Sequence, residues 1–148
     1  MSFLATLKIE GKGVTYNILK CEYTIEQDVD DNKKPIAIPS GGTIEFTIFA
    51  PDDSDTFFHE WILSKSDGKN GEFKFPILVD GVNLKYKTLK FEKTHCTRLV
   101  EKFSNLYLDD DETPTQMLME ITLQATELTF GGDANQEKYT NNEKLGKN

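Results

Sequence analysis

The stretch Pro39–Leu63, PSGGTIEFTIFAPDDSDTFFHEWIL, joins a Gly-Gly-led alternating strand, an acidic cap and one short aromatic-faced helix. Every other strongly patterned segment reads as β, so a single helix is inserted into an otherwise all-strand domain. Ile44, Phe46 and Ile48 alternate with Thr43, Glu45 and Thr47, the period of a strand buried on one face. Pro51 stops that strand, and Asp52, Asp53, Ser54 and Asp55 offer N-cap oxygens and negative charge to the helix dipole. Phe57, Phe58, Trp61 and Ile62 then fall at i, i+1, i+4 and i+5, one broad apolar face to lay against a sheet, with His59 and Glu60 turned away.

The flanking segments carry the strand pattern. Phe3–Glu10 and Val14–Glu26 read as an opening hairpin around Gly11-Lys12-Gly13. Val14, Tyr16 and Ile18 share one parity and Cys21, Tyr23 and Ile25 the other, so the phase flips near Leu19. A β-bulge there is the expected cause, re-aiming the strand as a closing barrel requires. Glu72–Asp80 and Val82–Phe91, the latter continuing to about Phe103, are split at Asp80-Gly81. Met117–Phe130 alternates most cleanly until Leu128 and Phe130 break the parity. Residues 1–132 are expected to form the folded domain, and residues 133–148, polar and without period, a flexible exposed tail. Ten Phe, five Tyr and one Trp at an apolar fraction of 37% suit a narrow barrel or sandwich filled by few large residues.

A net charge of −8, with Arg98 as the one arginine, opposes nucleic acid, because phosphate neutralisation needs clustered basic residues. The N-terminus lacks a basic n-region and no apolar run approaches the ~18 residues of a membrane span. The expectation is synthesis in the cytoplasm, no cleaved signal peptide and no membrane insertion.

Catalytic and metal patterns fail on inspection. His59-Glu60 begins like a zinc-protease helix, but Leu63 stands where the second ligand belongs. Asp28, Asp30 and Asn32 have EF-hand spacing, but Lys33 and Pro39 occupy the Gly and bidentate Glu positions. Asp109-Asp110-Asp111-Glu112 reads as a charged turn between strands. Cys21 and Cys96 are too few for a zinc site and read as small buried hydrophobes without a disulfide. His95 and Cys96 are adjacent on a strand and therefore face opposite ways, unable to share a proton. With no Gly-rich phosphate loop, nucleophile elbow or catalytic carboxylate pair, the expectation is a chain that is not an enzyme, holds no cofactor or metal, and works by assembly.

The opening MSFLATLKIEGKGVTYNILKCEYTIEQ, then PIAIPSGGTIEFTI, FFHEWI, LKFEKTHC and MEITLQATELTFGG run in order across about residues 1–132. Together they resemble the Hcp (TssD) tube proteins of type VI secretion systems, in the Bacteroidetes form. The resemblance implies a mainly β fold: a two-sheet β-barrel-like domain with one short α-helix on its flank. It implies a homo-hexameric ring, rings stacked into a hollow tube, and contractile sheath, spike and baseplate proteins as partners. Effector cargo would ride in the lumen or be fused to tube and spike subunits, and the tube would leave the cell without a cleaved signal. The family brings no catalytic residues to carry over, and with no extra domain after Phe130 the chain reads as a bare structural subunit.

Gln27–Pro39, QDVDDNKKPIAIP, is the candidate loop for reaching a neighbouring subunit or ring, through Asp28, Asp30, Asp31, Lys33, Lys34, Ile36 and Ile38. A long polar loop with apolar residues near its end orders on contact at modest cost. Two alternatives share the β architecture. One is a small-ligand or glycan binding module using Phe57, Phe58 and Trp61, although their helical spacing favours core packing. The other is a phage tail-tube subunit.

Overall fold

The computed structural model describes residues 4–26, 29–34, 40–64, 68–103, 116–132 and 136–140. Strand β1 (Ala5–Ile9) pairs antiparallel with β2 (Thr15–Ile18), and the alternating Leu7, Ile9, Tyr16 and Ile18 turn inward. Strand β3 (Lys20–Glu26) begins one residue later yet pairs with β4 (Ser40–Phe49). Between them the Leu19 N–H donates to the Thr47 carbonyl at 2.9 Å. The chain therefore leaves one sheet and enters another at Leu19. The parity flip expected there as a bulge within one strand is a change of sheet, after which Cys21 and Tyr23 pack against the core.

Helix α1 (Phe57–Leu63) precedes β5 (Lys69–Val79), β6 (Asn83–Lys102), β7 (Leu118–Gln124), β8 (Glu127–Phe130) and β9 (Glu137–Thr140). Strand β6 belongs to both sheets: its first part pairs with β5 and β8, its last part with β7. The bend falls at Lys93, which sits at φ 50 and donates its N–H to Asn70 Oδ1 at 2.9 Å. Beside it the β5–β6 register shifts between Lys69 and Gly71, a bulge that sharpens local twist. A third change of sheet lies between β7, paired with β4, and β8, paired with the first part of β6. It accounts for the broken parity at Leu128 and Phe130.

The pairing path runs β2-β1-β5-β6-β7-β4-β3, with β8 and β9 branching from β6. Its two ends, β2 and β3, are consecutive in the chain, so the shell is wrapped by covalent connection rather than closed by a ladder. The result is the mainly β, two-sheet, barrel-like fold with a short helix. Its core gathers Phe46, Phe73, Phe91, Ile121 and Leu123 with Phe58 and Trp61 of the helix. Each such side chain removed from water contributes about 1.5–3 kcal/mol.

Gly42 explains the Gly-Gly launch of β4. Thr24 faces Thr43 and Ile25 faces Gly41, leaving Gly42 as the extra residue at φ 80. A Cβ there would stand 2.8 Å from the Ala125 carbonyl oxygen, and the Gly42 carbonyl accepts the Ala125 N–H at 2.8 Å. The stretch 133–148, expected as a flexible tail, contains β9: Glu137–Thr140 pairs with β8, and Tyr139 is buried. One inward-facing residue in a four-residue strand shows no period, so composition concealed it. Residues 133–135 and 141–148 lie outside the described residues.

Candidate intersubunit surfaces

Helix α1 packs on β6. Phe58 and Trp61 are buried, while Phe57 and Ile62 are partly buried against the same core. The Trp61 indole N–H donates to the Thr94 carbonyl at 3.2 Å, giving a buried polar atom its partner. Phe58 meets the Tyr16 ring at 4.9 Å and the Phe46 ring at 5.9 Å, within the range where aromatic pairs attract. The ammonium groups of Lys12 and Lys69 lie over the Phe57 ring, 4.8 and 5.4 Å from its centre.

The helix start differs from a simple N-cap. Thr56 occupies the cap position without a side-chain cap bond, and its hydroxyl donates to Glu60 Oε2 at 3.1 Å. Asp55, one residue earlier, does the capping: its Oδ1 accepts the Phe57 N–H at 3.0 Å and its Oδ2 accepts the Tyr16 hydroxyl at 2.8 Å. Lys12 Nζ lies 3.6 Å from the same carboxylate. Burial pushes the Asp55 carboxyl up, but the Tyr16 and Phe57 hydrogen bonds and the Lys12 charge outweigh it, leaving it below its ordinary value. The Tyr16 phenol is pushed well above its usual range, by burial first and then by Asp55.

His59 and Glu60, expected to turn away together, part company. Glu60 is exposed, but His59 Nε2 lies 2.9 Å from Glu101 Oε1 and fastens the helix to the end of β6.

In the candidate contact loop, Asp30, Asp31, Lys33 and Lys34 share one compact turn. Asp30 Oδ1 accepts the N–H groups of Asn32 at 2.8 Å and Lys34 at 2.9 Å, and Asp30 and Lys34 are joined through their backbones. Lys33 sits at φ 65, a strained conformation for a side-chain-bearing residue. Asp31, Lys33 and Lys34 are exposed, as is Val29. Asp28, Ile36 and Ile38 lie outside the described residues, as does the acidic run 109–112.

The two thiols are free and held in their protonated forms. Burial pushes Cys21 up to about 12, aided by Glu22, and Cys96 up to about 11, against an opposing effect of a backbone hydrogen bond at Arg98. Both lie on the inner face of the second sheet, but Cys21 on β3 and Cys96 on β6 are separated by three strand spacings, roughly 14 Å. That is beyond disulfide reach. His95 is exposed and Cys96 buried, as adjacent strand residues must be. Among the described residues no group of three or more His, Cys, Asp or Glu side chains could hold a metal ion. No described helix is long and apolar enough to cross a membrane.

One surface went unread in the sequence. Ile77, Leu78, Val82, Leu84 and Tyr86, near the Asp80-Gly81 turn, are all exposed. Their alternation is that of any strand pair, and what distinguishes them is that no element among the described residues covers them.

Comparison with known proteins gives a consistent result. The profile of the family described as hemolysin coregulated protein Hcp (TssD) matches residues 1–139. Hcp1 from Flavobacterium johnsoniae is similar at 25% identity and TM-score 0.68, over 94% of this chain and 100% of that one. Hcp1 from E. coli EAEC 042 shares the fold at 14% identity and TM-score 0.69, over 94% and 99% of the two chains. Another Hcp crystal structure does so at 12% identity and TM-score 0.70, with the same coverage. No curated protein matches the sequence.

Proposed function

The chain belongs to the Hcp (TssD) family, and from that membership we propose how its copies work: six close into a ring, and rings stack into the hollow inner tube of a type VI secretion system. It is a tube subunit of a secretion or injection system, and its family forms stacked tube rings that type VI systems secrete. A contractile sheath propels the tube, a spike tips it, a baseplate starts it, and effectors are its cargo. The subunit is made in the cytoplasm, leaves without a cleaved signal, and carries out no catalysis. Its folded tube domain spans residues 1–132, extended by β9, and the turn bearing Asp30, Asp31, Lys33 and Lys34 reaches the neighbouring copy.

The observation that carries this reading is the family match over residues 1–139. The physical support is that head-to-tail contacts between identical subunits close in one plane and leave stackable faces along the axis. The aromatic face of α1 is spent on the core rather than on a ligand, which removes the main support for a binding module. Negative-stain microscopy of the purified chain is the test. Rings with a central hole are expected; compact monomers at every concentration would overturn the tube reading in favour of a binding module.

A further inference from the structure

The outer face of the first sheet changes character along the β5–β6 hairpin. At its base the outward positions are polar: Lys8 faces Glu72, Glu72 faces Lys90, and Lys74 faces Thr88. Two residues further out the same face becomes wholly apolar. Pro76 stands opposite Tyr86 and Leu78 opposite Leu84, and a shallow apolar cleft of about 330 Å³ is lined by Pro76, Ile77, Leu78 and Leu84. This face looks away from the core, because Phe73 and Phe75, on the alternate positions, point inward. Leu78 is 62% exposed, Tyr86 61%, and Val82 at the turn 79%. A half-buried antiparallel sheet alternates apolar-in with polar-out, so an apolar outer face calls for a cover that the described residues do not supply.

The ribbon is also bare at its edges. Strand β1 pairs with β5 only over Gly71–Lys74, and β8 with β6 only over Leu89–Glu92. Beyond those points, among the described residues, the hairpin is two-stranded. A ribbon of that kind is marginal in water unless it packs on something. Asp80 at φ 60 and Gly81 at φ 72 form a tight mirror-image turn that holds the ribbon's twist and register. Pro76 removes a backbone donor and Lys85 and Lys87 place charge on the outer strand, which discourages strand addition along the edges. Docking through the apolar face is what remains.

We propose that the outer face of the hairpin tip, Pro76, Leu78, Leu84 and Tyr86, docks on the acidic surface of a second copy of this chain. This rests on the tube-subunit reading and adds which surface makes the contact. Charge selects the occupant. On the same outward face, at the base of the hairpin, Lys8, Lys74 and Lys90 stand against Glu72, within a chain of net charge −8. The tip is a basic-flanked apolar patch on an acidic molecule, and another copy offers the complementary field.

The full-length chain tests this in two ways. Leu78→Glu is expected to weaken association between copies about tenfold or more in sedimentation velocity, while Leu78→Met leaves it unchanged. The circular dichroism of both should match the parent, since the side chain is already exposed. Independently, p-benzoylphenylalanine at position 86 should give, on irradiation, a dimer of this chain whose adduct maps to an acidic surface. Rings that form in the parent but ignore Leu78→Glu, or that give no self-adduct from position 86, would overturn the docking face and leave the tube reading standing. Absence of rings in the parent chain would overturn the tube reading first.

Discussion

Asp55 shows how much one side chain can hold together. Its carboxylate takes the Tyr16 hydroxyl from β2, the Phe57 N–H from the helix start and the charge of Lys12 from the β1–β2 connection. Asp55→Ala is expected to cost about 1–3 kcal/mol, as loss of a cap together with an unpartnered buried hydroxyl, read as a lower urea midpoint. Tyr16→Phe should cost about 1 kcal/mol, and the double variant less than the sum, because both remove the same bond. The pH sense follows from the depressed Asp55 value. Its stabilisation is fully present above the unfolded carboxyl value of about 3.9 and is lost as pH falls through the lower folded value. Urea melts between pH 5 and pH 2 should therefore show a shallower decline for Asp55→Asn than for the parent. The acidic cap was legible from Asp52–Asp55 ahead of an apolar period. Its partner Tyr16, 39 residues away, was not, because nothing local marks a hydroxyl that meets a carboxylate across the fold.

At the scale of elements, the barrel's corners were visible as phase breaks before their cause was. Parity fails at Leu19 and again at Leu128, and both mark passage between sheets; a third passage, at Lys93, also flips it, from Leu89 and Phe91 to Thr94 and Cys96 across the exposed pair Glu92-Lys93, but the polar Thr94 on the buried side hides the new phase in the sequence. Period-2 reasoning finds where a strand turns its other side to the core, but which sheet it joins next depends on long-range pairing such as Leu19 with Thr47. Corners therefore tolerate substitution poorly. Gly42→Ala places a Cβ 2.8 Å from the Ala125 carbonyl oxygen at φ 80, and is expected to cost about 2–3 kcal/mol from backbone strain, measured by thermal melting. Trp61→Ala should cost about 3–5 kcal/mol, since it opens a cavity and strands the Thr94 carbonyl. The thiols give a test without mutation. With Cys21 raised to about 12 and Cys96 to about 11, maleimide labelling at pH 7.5 should be slow in the native chain and prompt after denaturation. Fast native labelling of Cys96 would show that β6 opens where it meets β7.

For the whole molecule, charge and contact between ring faces oppose one another, and their balance is expected to set the length of a stack. Six copies at −8 carry about −48 per ring, so rings approaching along the axis repel over distances set by the ionic atmosphere. That distance is about 30 Å at 0.01 M salt and about 10 Å at 0.1 M. Apolar contact between ring faces acts only at van der Waals range and is not weakened by salt. Low ionic strength should therefore favour isolated rings, and rising salt should lengthen stacks, visible as a shift of sedimentation coefficient across a salt series. If repulsion is the controlling term, pH must act in the same sense. Moving from pH 7 toward the isoelectric point near 4.8 removes net charge, so stacks should grow even at low salt, and the salt dependence should flatten. A stack length that rises with salt equally at pH 7 and pH 5.5 would mean that salt acts through the apolar contact instead. Monomers alone at high protein concentration across the whole series would overturn ring and stack together.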